Sequence, residues 1–364
     1  MRRRLRKLWR SGVTHAVLLA SACVMLTPLA WMVSTSLKQS GLSLSRGIQW
    51  LPYQDVWAHE GQETQVVVLG ARVVRPDTGE QVEVGVKSLG DRRRVTEVWL
   101  PEGRFEAEVE AFRIRPTTDD ETTSEALWAP FGEVHRRLAP QWHNYVEALE
   151  AMQFWRLLKN TLAVTYLGTL GTLLSCSFVA YGFARFRFPG RNALFLLLLS
   201  TMMLPPVVTM IPVYLVFREL RWIDTLLPLF VPAWFSVNAF AVFLFRQFYM
   251  TLPFDLDDAA RIDGCNALGI YWHVLLPQTK PVMATVGMFC FTAYWLDFMR
   301  PLIYLNSDTK ATLSLGLYIF KGAHTTDWHY LMAATLVVAF PCVVLFFLGQ
   351  RFFVKGVVMS GLKG

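Results

Sequence analysis

Residues able to do chemistry are sparse in this chain and sit between long apolar runs. The densest group is Asp255-Leu256-Asp257-Asp258-Ala259-Ala260-Arg261-Ile262-Asp263-Gly264, closed off by Val274-Leu275-Leu276-Pro277. No Gly-Lys dipeptide occurs anywhere, so a phosphate-cradling Walker A loop is absent. No Ser/His/Asp, Cys/His or zinc spacing stands out either. What the acidic group can do is mechanical: form a short helical hairpin with a charged start. Pro253 precedes it, Asp255 can serve as N-cap, and acidic residues in a first helical turn are favoured by the dipole. Leu256, Ala259, Ala260 and Asp263 fall on one small, largely apolar face, and Gly264 is a left-handed stop. A second short helix fits Asn266 to Leu275, limited by Pro277.

The order Asp258-Ala259-Ala260, Gly264, Val274, Leu276-Pro277, with Pro281 in register, resembles the EAA loop of ABC-importer permease subunits. Asp258 stands where Glu is usual and Val274 where Ile is usual. The resemblance implies that Asp258, Ala259, Ala260, Asp263, Gly264, Leu276 and Pro277 belong to a coupling loop, 249–280, that docks on a separate cytoplasmic ATPase. The tail Gln350-Arg351-Phe352-Phe353-Val354-Lys355-Gly356 through Gly361-Leu362-Lys363-Gly364 is similar to the ending of maltose-type permeases, and Gln141 to Tyr145 to the segment before their second span. Trp295 to Pro301 resembles a Trp-Asn-acid-aromatic segment of sugar permeases, with Leu296 in the place of the Asn. The implied protein is not an enzyme and needs no cofactor. Its implied partners are a second permease subunit, two ATP-binding subunits, an external solute-binding protein and membrane lipid, with no nucleic acid.

Those residues must be positioned by membrane helices. Of 364 residues, 53% are hydrophobic, and the mean hydropathy is +0.34. The apolar residues are gathered into runs of spanning length. The net charge of +7 reads as a topology signal and an attraction to anionic lipid rather than nucleic-acid binding, since the basic residues are split among loops. Of five cysteines, Cys23, Cys176, Cys290 and Cys342 lie in apolar runs and Cys265 in the polar loop, which argues against a disulfide framework.

The expected fold is an all-α polytopic membrane protein of six helices with a small antiparallel β domain inserted after the first. A basic arm, 1–13, precedes a first span at 14–36. Ala20-Ser21-Ala22-Cys23 looks like a cleavage site, but the apolar run continues to Val33. The insert is 37–140. Its strands are expected within 60–116, at Gln65 to Leu69, Ala71 to Val74, Gln81 to Lys87, Val95 to Leu100 and Arg104 to Ile114. Asp77-Thr78-Gly79, Gly90-Asp91 and Pro101-Glu102-Gly103 supply turns, Arg92-Arg93-Arg94 reads as a solvated turn, and Thr117 to Glu125 as a linker.

Within the permease core, 141–353, further spans are expected at 161–183, 192–217, 226–248, 281–305 and 330–353, with a cytoplasmic tail at 354–364. Both termini then lie in the cytoplasm of a multi-pass cell-membrane protein. Gly168, Thr172 and Cys176 open a close-approach stripe on the second span. Arg185, Arg187 and Arg191 make a basic inner turn. Pro205 and Pro206 break the third span, Asn238 is an amide inside the fourth, and Asp297 and Arg300 are charges in the fifth. Pro205, Pro206, Asn238 and Asp297 are therefore the pathway or gate candidates. His324 and His329, five apart in an outer loop, are weak metal ligands. Two other classes fit parts of the pattern: a membrane-anchored sensor whose β insert binds a ligand, and a membrane enzyme with its site in that insert.

Overall fold

The computed structural model describes residues 2–38, 50–59, 62–74, 81–85, 95–100, 103–116, 126–322 and 326–361. The turns expected at Asp77-Thr78-Gly79, Gly90-Asp91 and Pro101-Glu102, the linker Thr117 to Glu125, Arg92-Arg93-Arg94 and His324 lie outside the described residues. The chain forms two compact units, one of 1–150 with 320–336, the other of 151–319 with 337–364.

The first unit opens with α1 (Arg2–Ser36), whose Val13–Ser36 stretch is long and apolar enough to cross a bilayer. An antiparallel sheet follows, of β1 (Tyr53–His59), β2 (Gln62–Val74), β3 (Gln81–Gly85), β4 (Val95–Leu100), β5 (Gly103–Pro116), β6 (Leu127–Pro130) and β7 (Val134–Leu138). Its order is β4-β5-β2-β1-β7, with β3 on β2 and β6 on β5. The long pair β2–β5 carries two register shifts, between Val68 and Gly70 and between Arg72 and Val73. They explain the burial pattern. Val66 and Val68 point inward, then parity changes and Ala71 and Val73 do; on β5 the sets are Ala107 and Val109, then Phe112 and Ile114. One extra residue on each strand keeps both inward sets on the same core while the ribbon bends.

The two ends of this insert are tied together. The Gln141 N–H donates to the Leu37 carbonyl (2.9 Å), and Asn144 Nδ2 donates to the Ser36 and Lys38 carbonyls (2.8 and 2.9 Å). Asn144 lies in α2 (His143–Ala151), which also brings Tyr145 Oη within 2.8 Å of Ser36 Oγ.

The second unit is built on α3 (Phe154–Arg185), a 32-residue helix whose small residues Gly168, Gly171, Thr172, Cys176 and Ala180 are buried along one side. Against it pack α8 (Ala239–Tyr249) and α12 (Lys280–Trp295), giving a core of Cys176, Tyr181, Val242, Phe245, Ile270, Tyr271, Leu275 and Val286. The close approach expected at Gly168 is real: a Cβ there would sit 2.7 Å from the Tyr294 ring.

Four helices are long and apolar enough to span: Val13–Ser36, Phe154–Arg185, Leu227–Tyr249 and Trp328–Gln350. A fifth is counted if Arg191–Met203 and Pro206–Glu219, bent by 98°, form one crossing. Pro205 is extended and Pro206 starts the new helix, so the pair does not kink a rod; it ends one and begins another. The expected single span 281–305 is corrected to α12, of only 16 residues, and α13 (Met299–Tyr304), separated by Leu296 to Phe298. The freed carbonyl of Trp295 accepts from Ser314 Oγ (3.0 Å). Among the described residues, six continuous spanning helices are therefore absent. The last helix, α15, runs Trp328–Gly361, and residues 362–364 lie outside the described residues.

Candidate functional site

The acidic stretch folds as a hairpin. Its first helix, α9 (Asp255–Ile262), has Asp255, Asp257 and Asp258 in its first turn. Phe254, not Asp255, occupies the N-cap, and no side chain caps it. Gly264 ends the helix at φ +87°, with the Cys265 N–H donating to the Ala260 carbonyl (2.9 Å) and the Gly264 N–H to that of Arg261 (3.0 Å). That double bond pattern needs a left-handed residue, and glycine adopts it without a Cβ clash. Asn266 then caps the next helix, its Oδ1 accepting from the Gly269 N–H (2.7 Å). The helix runs through α10 (Ala267–Gly269), a wide π turn (Ile270–Leu275) and α11 (Leu276–Gln278). Pro277 thus lies inside it, and the wide turn just before relieves the contact its ring would make with the preceding turn.

Rotation of α9 differs from the face expected. Asp257 and Ala260 are buried, whereas Ala259 and Asp263 are exposed. The buried carboxylate meets Arg185 at the end of α3, with Nε 3.3 Å from Oδ2 and side chains 2% and 3% exposed. Arg185, expected in a basic inner turn, is therefore one half of an interior ion pair. Its Nη1 and Nη2 both donate to the Leu252 carbonyl at 3.2 Å, and its guanidinium lies 4.5 Å from the centre of the Phe254 ring. Burial pushes the Asp257 carboxyl above the usual range, with Arg185 pulling the other way, so desolvation outweighs the attraction.

The second arm of the hairpin is anchored by hydroxyls. Tyr271 Oη lies 2.7 Å from Ser177 Oγ in the core, and Tyr181 Oη donates to the Ala267 carbonyl (2.9 Å). Burial raises the Tyr271 phenol, which keeps it neutral as a hydrogen-bonding group. Ile270, Tyr271 and Leu275 are all buried. Outward, the hairpin shows Asp258 paired with Arg261 (3.0 Å), Ala259, Ile262 at 88% exposure, Asp263 and Gly264, with Pro277 exposed and Leu276 half-buried beyond. A rigidly seated base with an apolar, small-residue tip can bear a load against another protein; it presents no nucleophile or acid–base pair.

The other candidates are placed elsewhere. Pro205 and Pro206 are exposed at the 98° bend. The Asn238 side chain caps α8, its Oδ1 accepting from the Ala241 N–H (3.0 Å), while its backbone N–H donates to Cys176 Sγ on α3 (3.3 Å). Asp297 binds the Arg300 side chain and accepts from its N–H (3.3 Å), so it also starts α13. His329 is buried, and no group of three metal-ligating side chains occurs among the described residues. Sequence reasoning missed Asp224. Its Oδ1 accepts from the N–H groups of Asn306 and Ser307 (3.0 and 2.9 Å), its Oδ2 from Ser307 Oγ (2.6 Å), and Lys310 closes on it. These bonds hold its carboxyl well below the usual range.

Residues 169–358 match the family described as binding-protein-dependent transport system inner membrane component. The arabinooligosaccharides transport system permease protein AraQ of Halalkalibacterium halodurans is 34% identical over 215 residues, 59% of this chain and 76% of that one. The sn-glycerol-3-phosphate transport system permease protein UgpE of Shigella flexneri is 36% identical over 209 residues, 57% and 74% of the two chains. Among solved structures, a bacterial ABC transporter involved in the import of the acidic polysaccharide alginate aligns with a TM-score of 0.60 at 20% identity, over 94% of this chain and 96% of its own. That likeness is one of fold, and at such coverage it takes in the sheet as well as the helices.

Proposed function

This chain belongs to the binding-protein-dependent transport system inner membrane component family, as a permease subunit that is not itself an enzyme, and from that premise we propose that it conducts a sugar or oligosaccharide. The ring-sugar assignment leans on the arabinooligosaccharide relative; the glycerol phosphate relative marks the nearest competing solute. The membrane is crossed six times, the third crossing bent at Pro205-Pro206 and the fifth broken at Leu296 to Phe298, with both termini in the cytoplasm. A second permease subunit completes the pathway, two ATP-binding subunits bind below, and a solute-binding protein delivers from outside. Membership in this family displaces the sensor and enzyme readings.

The hairpin 255–278 is the part that meets the ATPase. One observation carries this: its base is locked to the end of α3 by the Arg185–Asp257 pair while its tip at Ala259, Ile262 and Gly264 stays open. A push on the tip is thereby delivered to a spanning helix. Cysteines placed singly at Ala259, Ile262 and Leu268 test it in membranes of the producing cell. Crosslinks to an ATP-hydrolysing subunit are expected from all three. Failure at every position, with the protein at normal abundance, would remove the docking role.

A further inference from the structure

The turn between α3 and the next helix, α4 (Arg191–Ser200), gathers cations without anions. No Asp or Glu occurs from residue 151 to residue 218. Arg187, Phe188, Gly190, Arg191, Asn192 and Ala193 line a pocket of about 370 Å³. A Cβ at Gly190 would meet nothing within 4 Å, so the mouth is clear. Arg187 is exposed and makes no hydrogen bond or ion pair among the described residues. Arg191 uses one N–H, from Nη1, on the Phe186 carbonyl (3.3 Å) and has no carboxylate partner among them either. Behind these two stands Arg246, near the end of α8. Its guanidinium lies 4.2 Å from the centre of the Phe195 ring of α4, its Nε donates to the Phe183 carbonyl (3.5 Å), and it is close enough to Arg191 for the two charges to repel. Arg185, two residues before Arg187, has Asp257; these three have no such counter-charge among the described residues. Like charges held together in partly dry surroundings leave a field that a bound anion relieves.

The guanidinium fork suits a phosphate, whose oxygens accept paired N–H groups. The neighbouring surface says that this phosphate carries hydrocarbon. Phe188 at the pocket is exposed, α4 buries none of its residues, and Leu194 and Leu197 stand 50% and 63% exposed. From Arg191 they follow at three-residue steps, about 4.5 and 9 Å along the axis at 1.5 Å per residue. The pocket lies just past the end of α3 that seats the hairpin, which is the cytoplasmic end in the topology proposed above. There α4 enters the bilayer with its arginines at headgroup level and its leucines at acyl level. A choline or ethanolamine headgroup would bring a cation towards three others. Phosphatidylglycerol or cardiolipin brings none, and basic pockets at the cytoplasmic surface favour such lipids.

We infer that Arg187 and Arg191, backed by Arg246, hold the phosphate of an anionic phospholipid of the inner leaflet, with an acyl chain laid along Leu194 and Leu197. The inference rests on the topology given above, in which this turn faces the cytoplasm, and adds a lipid site to it.

The test uses the whole transporter, with its partner subunits, in nanodiscs of phosphatidylcholine carrying a trace of phosphatidylglycerol with a photoactivatable acyl chain. Crosslinks are mapped by mass spectrometry, and those on residues 192–204 are scored against those on α15. Wild type should label at 192–204, and an excess of unlabelled phosphatidylglycerol should suppress that label. The variant Arg187→Gln with Arg191→Gln should lose about tenfold, whereas Arg187→Lys with Arg191→Lys, which keeps both charges, should stay within about threefold of wild type. No label at 192–204, label unmoved by the glutamine pair or by unlabelled lipid, or an equal loss in both pairs overturns the site. Suppression by inorganic phosphate as complete as by phosphatidylglycerol at the same total concentration assigns the pocket to a free anion and overturns the lipid. A reporter fused after Gly190 reads the topology separately. An external signal overturns the inner-leaflet assignment and the topology with it, while a cytoplasmic signal with failed labelling overturns the site alone.

Discussion

Neutralising one member of the Arg185–Asp257 pair is the perturbation that should say most about this protein. Both side chains are almost wholly buried, and removing one charge strands the other in a poorly solvating site. Such single losses cost about 3–5 kcal/mol. The two are not equivalent. In Asp257→Asn the guanidinium keeps the Leu252 carbonyl and the Phe254 ring, so the cost belongs at the lower end. In Arg185→Met the carboxylate keeps only the weaker pull of Arg261, but it can escape by taking a proton. At pH 7 that escape costs about 1.4 kcal/mol for each of the roughly three pH units separating neutrality from an ordinary Asp pKa, which caps this term near 4 kcal/mol. The cap also sets a sign. A carboxyl with a raised folded pKa gains stability as pH falls, the gain lying between that raised value and the ordinary one. Arg185→Met should therefore recover stability on acidification from pH 7 towards 4, at up to about 1.4 kcal/mol per unit. The double variant Arg185→Met with Asp257→Leu, which buries apolar groups instead, should be within about 1 kcal/mol of wild type. Denaturation in detergent micelles gives the stabilities, and the cycle of Arg185→Met, Asp257→Leu and their double variant gives the coupling. Uptake is the second readout: a transporter assembled with the stable double variant should hydrolyse ATP at its ATP-binding subunits with little transport. Single variants that lose under 1 kcal/mol, or a double variant that transports normally, would refute the role given to the pair.

Gly264→Val should cost about 1–2 kcal/mol from its left-handed backbone alone, since nothing lies within 4 Å of the added Cβ, while Gly264→Asn should cost less; uptake and thermal stability report it. Gly171→Ala must displace the Trp234 indole, so tryptophan fluorescence should shift with little change in helicity. Asp224→Asn should loosen the 305–310 loop, raising protease cleavage there. In wild type the depressed Asp224 pKa means the loop's anchorage is complete above the ordinary carboxylate range and fades only as pH falls below it. A reporter fused after Pro140 should be active outside the membrane, and one fused after Gly264 inside.

The hairpin was legible because its punctuation is local. A left-handed glycine after an acidic, alanine-rich turn and an asparagine two residues on specify their own geometry. Which of three neighbouring aspartates turns inward was not legible. That depends on Arg185, far back in the chain, at the last turn of a helix whose end reads as a basic inner turn. An arginine flush with the end of an apolar run, and an Asp three before a buried Ala, were the available signals. Asn238 shows the same limit: an amide in an apolar stretch reads as an interhelical contact, whereas a break at Ser236 made it a cap. The strands β1 and β7 escaped notice because they pair with each other across the whole insert, and Gln54 and Asp55 are buried polar residues that spoil an alternating pattern.

The knot of hydrogen bonds among Leu37, Gln141 and Asn144 has a consequence for how such a chain can change over generations. The polypeptide departs and comes back at points already fastened to each other, so whatever lies between is a pendant whose size makes no geometric demand on its base. Roughly a hundred residues could shrink to a short linker, or grow, without re-aiming the helices on either side. The fold leaves room there for trying out new outer surfaces while the inherited machinery stays untouched.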